Sequence, residues 1–224
     1  MRHIDVLTSL IDLPRKRVLD IGAGDGSYSR DLEAAGAVVS AIEVDPEKVA
    51  RARASLSPRA DVRLGRAEAL PFADRSHDLA CLFFSLHHVP MEVQDTALAE
   101  VRRILRPGGR LHVVEPYPHG TMFDVVRMVE DETVVRTHSH HLLDQLGARA
   151  GFQKIAQRDY VLSRDFPTFD DLLNKIVRPD PARTAAFETV APEMEATYRR
   201  VAEDRGGQCL LHQPCAAYHF SVED

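Results

Sequence analysis

Three glycines stand at alternate positions in "IGAGDGS": Gly22, Gly24 and Gly26. They follow the apolar run Val18-Leu19-Asp20-Ile21, which predicts a buried strand ending in a bare turn. Such a turn lets a ligand lie against the backbone, because any Cβ would intrude. Two acids stand nearby in the pattern, Asp20 inside the run and Glu43 at the end of "AVVSAIE". Proton transfer is the second chemistry on offer. The chain has 11 histidines, and histidine gains or loses a proton near neutral pH. Ser85, His87 and His88 follow the apolar run "DLACLFF", while Glu115, Tyr117 and His119 follow "RLHVV". A third group, His138, His140 and His141 in "THSHHLL", has spacing for two metal ligands on one helix face. The sequence places no cysteine or carboxylate beside them. Solvated histidines at a helix start are therefore expected, and no metal site is predicted.

These groups need a frame. Residues 18–21, 37–44, 61–65, 78–86 and 110–116 read as strands, several of them apolar throughout. Helical faces lie between them. Tyr28, Leu32 and Ala35 mark the first, and Asp45-Pro46 opens the second with an N-cap and a first-turn proline. Ala97, Leu98, Val101, Ile104 and Leu105 mark a third, which "RPGG" (106–109) ends. Strands alternating with helices predict a parallel sheet covered on both sides. Loops at the carboxyl ends of its strands face a ligand crevice, and the glycines, Glu43, His87, His88 and Tyr117 all fall there.

Beyond residue 117 the pattern changes. Helices are expected over 121–129 and 139–150, and a sixth strand over 152–163. Thr168 and Asp171 form a capping-box pattern ahead of the apolar stripe Phe169, Leu172, Leu173, Ile176 and Val177. Asp180-Pro181 opens more helix, which Pro192 should break or kink and Gly206-Gly207 should end. Residues 208–222 read as a last strand, bent at Pro214. The expected architecture is α/β: a doubly wound, mostly parallel, seven-stranded Rossmann-like sheet with helices on both faces and a helical insertion before the last strand.

The 224 residues read as a single domain, 1–224. The net charge is −6 and no Lys/Arg block appears, so no nucleic-acid partner is expected. "MRHIDVLTSLIDLPRKR" is interrupted by Asp5, Asp12 and Pro14, and reads as neither signal peptide nor membrane span. Cys81, Cys209 and Cys215 lack CxxC spacing, which points to a reducing, cytoplasmic setting.

Two ligand classes use a glycine turn after the first strand of such a sheet. A dinucleotide needs G-x-G-x-x-G, but the third position here is Ser27 and the last glycine comes one residue early. The other class fits. "VLDIGAGDG" resembles motif I of the class I S-adenosylmethionine (SAM)-dependent methyltransferases. "VVSAIEVDPEKVARARA", "GRAEALPFADRSHDLACLFFSLHHV" and "EVRRILRPGGRLHVVEP" resemble that family's next three blocks, in order, over residues 17–116. "LPF", "LHHV" and "LRPGG" are most similar to small-molecule methyltransferases of the ubiquinone/menaquinone-biosynthesis type.

The resemblance implies SAM as cofactor, S-adenosylhomocysteine (SAH) as product and a small-molecule acceptor. Gly22, Gly24 and Gly26 would lie against SAM, and Asp20 would orient its methionine end. Glu43 would accept from the ribose hydroxyls. In the family an Asp commonly precedes the Ala of "DAE" and accepts from the adenine amino group. Arg66 stands there instead and has no acceptor, which leaves the Ala67 amide and Glu68 for adenine. Ser85 would complete the cofactor site. His87 and His88, with Tyr117, are the candidates for removing a proton from the acceptor. The D/N-P-P-Y stretch of nucleic-acid amino methylation is replaced by "SLHH" after strand four. Segments 117–141 and 164–207 are expected to act as a lid, with Tyr117, Met122, Phe123, Phe166 and Phe169 setting acceptor choice. A sheet-edge or homodimer contact is the plainer use of that apolar stripe. A SAM-binding regulator or inactive partner, a SAM-modifying relative and a dinucleotide oxidoreductase are the competing functions.

Overall fold

The computed structural model describes residues 2–149 and 151–223, which divide into two compact units interleaved along the chain. The first unit holds Arg2–Glu115, His138–Arg158 and 216–223. It opens with α1 (His3–Thr8), β1 (Arg17–Ile21), α2 (Ser27–Ala34), β2 (Val38–Glu43), α3 (Pro46–Ser55) and β3 (Asp61–Leu64). β4 (His77–Phe83), 3-10 turns at Leu86–His88 and Met91–Val93, α4 (Gln94–Ile104) and β5 (Leu105–Pro116) follow. The second unit holds Pro116–Thr137 and Asp159–Cys215. Across both run α5 (Thr121–Val126), α6 (Thr133–Leu146), β6 (Phe152–Asp165), α7 (Phe169–Leu172), α8 (Pro181–Val201), β7 (Glu203–Asp204) and β8 (Cys209–Val222).

The sheet order is β3-β2-β1-β4-β5-β8-β6, with the two-residue β7 paired to β8. β1 pairs in parallel with β2 and β4, β2 with β3, and β4 with β5. The order reverses at β1/β4, and the register Asp20↔Ala41 and Asp20↔Cys81 puts the glycine turn at that crevice. Val18, Leu19, Leu79, Ala80, Leu111 and Val113 are fully buried, as expected of strands covered on both faces. α3 is capped as its sequence dictates, with the Asp45 carboxylate accepting from Glu47 N at 2.8 Å and Lys48 N at 3.3 Å.

The second unit has its own core. Met122, Val125, Val126 and Val129 pack with Phe166, Leu172, Leu173, Val177, Met194, Tyr198 and Leu211. Thus the stripe of 169–177 finds its partner on α5. Tyr198 donates its hydroxyl to Phe166 O at 2.5 Å, and the Thr168–Asp171 box forms with both bonds at 3.0–3.1 Å. His212 ties three strands by meeting Ser163 Oγ at 2.8 Å and Glu203 Oε2 at 2.7 Å.

Several boundaries differ from the sequence reading. β5 starts at Leu105, so "RPGG" lies inside the strand, with a register shift opposite His77/Leu79. α6 begins at Thr133, six residues before Ser139, which puts "THSHHLL" inside the helix; its expected end at Ala150 falls outside the described residues. α8 runs on through Pro192 to Val201. Gly206 and Gly207, at φ +64° and +97°, instead turn the β7–β8 hairpin. Among the described residues no helix is long and apolar enough to cross a membrane.

Candidate ligand and proton-transfer site

The glycine turn is lashed to β2, because Gly22 N and Ala23 N both donate to Ile42 O at 2.9 Å. All three glycines have positive φ, +74°, +58° and +84° in order, a region costly for any residue with a Cβ. Their surroundings differ. A Cβ on Gly22 would sit 2.6 Å from Ser85 Cβ, and one on Gly26 would sit 2.9 Å from Ser55 Oγ. Gly24 alone has nothing within 4 Å of that position. Two are glycine because protein already fills the space, and only Gly24 borders open volume.

Glu43 is buried, and its carboxylate is engaged by backbone. Oε2 accepts from Gly24 N at 2.9 Å, and Oε1 from Val44 N at 2.8 Å and Asp45 N at 3.1 Å. A carboxylate has about four lone-pair directions, so the remaining acceptor direction is on Oε2. Asp20, 1% exposed, accepts from Ser29 Oγ at 2.5 Å. Burial pushes its carboxyl up to about 6, the Ser29 hydrogen bond opposes this, and the Glu43 charge adds to it. Ser85 donates to Ile21 O at 2.6 Å and is the side chain that packs on Gly22. Its hydroxyl proton thus serves the turn itself.

The 65–72 segment is pinned from two sides. Gly65 N donates to Glu43 O at 3.0 Å, while Arg103 holds Leu70 O at 3.0 Å and Phe72 O at 2.8 Å. Ala67 is buried; Glu68 lies 3.7 Å from the exposed Arg66 guanidinium.

At the end of β4 the chain turns sharply. Phe84 has φ +54°, uncommon for a bulky residue, and its N–H still bonds Val114 O at 2.9 Å. Past it, the 3-10 turn carries His87, 5% exposed, against Glu115, 0% exposed. His87 Nδ1 lies 2.5 Å from Glu115 Oε2, and Leu86 N donates to Oε1 at 3.1 Å. The His87 and His88 rings are 4.1 Å apart. Gln94 donates from Nε2 to Leu86 O at 3.1 Å and Val89 O at 3.0 Å.

Tyr117 belongs to the second unit, where its hydroxyl donates to Asp159 at 2.9 Å and its ring stacks on His119 at 5.3 Å. His138, His140 and His141 do not act as one group of solvated histidines. His140 is buried with Nδ1 2.9 Å from Tyr218 Oη, and His141 meets Gln145 at 2.9 Å. Met122 and Phe166, expected at an acceptor pocket, are core residues of the second unit; the Arg136 guanidinium lies 5.0 Å from the Phe123 ring centroid.

Sequence reasoning missed the links that hold this site. Glu115 is placed at the end of strand five without its pairing to His87, which stands 28 residues away, and Gln94 is not singled out at all. The available signal was their position: adjacent parallel strands bring β4 and β5 ends together.

A family profile described as a methyltransferase domain matches residues 19–113. The chain is 34% identical over 163 residues to a malonyl-[acyl-carrier protein] O-methyltransferase of Methylococcus capsulatus, covering 63% of this chain and 58% of that one. It is 39% identical over 123 residues to a ubiquinone/menaquinone biosynthesis C-methyltransferase of Bradyrhizobium diazoefficiens, covering 50% and 48%. An uncharacterized methyltransferase of Synechocystis is 30% identical over 150 residues, covering 63% of this chain and 70% of that one. The chain spans about half the length of the first curated relatives it matches. A methyltransferase-fold structure from Bacillus halodurans superposes with TM-score 0.67 at 18% identity, covering 99% of each chain.

Proposed function

We propose that this chain, which belongs to the methyltransferase family, is a class I SAM-dependent enzyme of the ubiquinone/menaquinone-biosynthesis type that transfers a methyl group from SAM to a small-molecule acceptor. The observation that carries this reading is Gly24, which faces open space with its amide on the buried Glu43 carboxylate and Asp20 nearby at the end of β1. A bare loop beside two buried acids suits a ligand with hydroxyl donors and positive charge. SAM bound there would supply a methyl group already activated by its sulfonium.

The chain's own residues then have distinct parts. Gly24 gives the ligand backbone to lie on, while Gly22, Gly26 and Ser85 keep the turn in shape. Asp20 orients the methionine end through its charge. Glu43 offers one ribose hydroxyl the open direction on Oε2, since Oε1 is already committed to two amides. The Ala67 amide and Glu68 serve the adenine. His87 and His88 manage the acceptor's proton. The names of relatives span an O- and a C-methyltransferase, and a fold shared at 18% identity carries no reaction with it.

Calorimetry with SAH tests the reading. One-site binding is expected, weakened roughly tenfold to a few hundredfold in Glu43→Ala by loss of a charge-assisted hydrogen bond. No SAH heat, with NADH binding instead, would refute it.

A further inference from the structure

We propose that Ser163, His212 and Glu203 form a further reactive site, in which Ser163 Oγ takes the acyl group of a small carboxylic ester and passes it to water. All three residues lie within the second unit. None of them belongs to the ligand site described above, and the proposal does not depend on the methyltransferase reading.

Three strands bring the groups together. Phe166 N donates to Cys209 O at 2.9 Å, where the end of β6 meets β8. Three residues back along β6 and three forward along β8, Ser163 comes opposite His212. Bonded and non-bonded pairs alternate between antiparallel strands, so this is a non-bonded pair, whose side chains lie closest. His212 N accordingly donates away from β6, to Thr121 Oγ1 at 2.8 Å. Ser163 Oγ lies 2.8 Å from His212 Nδ1, and Glu203 Oε2, reaching from β7, lies 2.7 Å from Nε2. The Arg205 guanidinium, 2.7 Å from Glu203 Oε1, and the His212 hydrogen bond hold the Glu203 carboxyl below the usual range.

An ionised carboxylate only accepts, so Nε2 carries the hydrogen and Nδ1 turns a lone pair to the Ser163 hydroxyl. A hydroxyl beside a base that a third group orients is the signature of a nucleophile, and such a triad is recognised by geometry and not by order in the chain. Ser163 Oγ adds to the ester carbonyl carbon while its proton passes to Nδ1, and the carbonyl electron pair moves to oxygen. In a non-bonded pair the amide points away from the facing strand. Among the described residues β6 ends the sheet order, so the Ser163 N–H donates at the outer edge to that oxygen. Collapse breaks the bond to the leaving alcohol, which takes the proton from Nδ1, and the acyl group stays on Oγ. Water then adds by the same route, releasing the acid and restoring the serine. Ser163 is exposed, which suits a small ester arriving from solvent. Val161, two residues along the strand and so on the same face, is 48% exposed and gives the acyl chain apolar surface.

Fluorophosphonate labelling of the full chain, read by peptide mass spectrometry, is the first test. One label is expected, on Ser163, absent from Ser163→Ala and slowed about 10²–10⁴-fold in His212→Gln. Hydrolysis of p-nitrophenyl acetate is the second. It should be lost in Ser163→Ala, while Glu203→Gln, which removes only the group that orients the base, should lower kcat about tenfold or more and hold KM within about twofold. Ser163→Ala should unfold at the wild-type urea midpoint, so that its loss reads the hydroxyl and not the fold. If His212→Gln does not fold, Ser163→Ala and Glu203→Gln still decide. Absence of a label, a label on another residue, or one that forms on Ser163 as fast in His212→Gln overturns the proposal, as does ester hydrolysis unchanged in Ser163→Ala.

Discussion

Asp20→Asn should make the protein more stable at pH 8 and no more stable at pH 4. The Asp20 carboxyl is 1% exposed and its proton is held up to about 6, against 3.8 for an ordinary aspartate. Burial is the first cause, with the Glu43 charge adding and Ser29 opposing. A folded-state value above the unfolded one means that folding favours the protonated acid. Its contribution is complete below about pH 4 and is lost as pH rises through about 6. A difference of about two units at 1.36 kcal/mol each gives about 3 kcal/mol as an upper figure. Asparagine keeps the shape and never ionises. Urea unfolding of both proteins from pH 4 to 8 measures the effect, and subtracting the curves cancels every other titrating group. The stability gap should grow between pH 4 and 6.5 and then level. A flat gap would mean that Asp20 ionises alike folded and unfolded, and the argument from burial would fail. Affinity for SAM should fall in the same variant, so the stabler protein would be the poorer binder.

Other substitutions separate packing from function. Gly24→Ala should cost about 1–2 kcal/mol of backbone strain and weaken SAH binding about tenfold or more; unchanged affinity would move the ligand off the turn. Gly22→Ala should destabilise more, by about 2–4 kcal/mol from strain and overpacking, and Ser85→Gly should recover part of that in a double-mutant cycle. Leu172→Ala, in the core of the second unit, should cost about 2–5 kcal/mol, and hydrogen exchange should quicken in 121–129 and 169–198 together; acceleration in one segment alone would show that they do not share a core. Burial holds His112 down to about 3 and His3, His77 and His219 down to about 4, against an ordinary 6.5. Each contributes stability present above pH 6.5 and lost as pH falls toward 4. Urea midpoints should therefore drop from pH 7 to 5, less so in His112→Gln; equal drops would exclude His112 as a cause.

Legibility followed the range of the interactions. β1, β2, β4 and their helices were readable because apolar runs, Asp45-Pro46 and the glycine turn are local signals. The Thr168–Asp171 box was equally local. The start of α6 was missed because Thr133–Thr137 offers little apolar periodicity, and Asp131 supplies its start by bonding Thr133 N at 3.0 Å. Pro192 reads as a break because its missing N–H costs one helical bond; neighbouring turns of a 21-residue helix can bear that loss. In the site, residue types were legible and pairings were not. Gly22 and Gly26 look like Gly24 in sequence, yet what would meet their Cβ atoms comes from Ser85 and Ser55, far along the chain. Glu115 could be placed at the end of β5, but its grip on His87 depends on the β4–β5 register.

The sheet order has a consequence for biosynthesis. β8, which follows both β5 and β6 along the chain, lies between them and is not at an edge. Its Ala216, Ala217, Tyr218 and Phe220 are among the most buried residues of the molecule. While the ribosome is still adding these residues, β5 and β6 each present an open row of hydrogen-bonding groups, the kind of edge that invites pairing with another chain. A nascent chain stalled at Cys215 would thus be more prone to aggregate than one extended through Val222, and a chaperone should hold it longest over that interval.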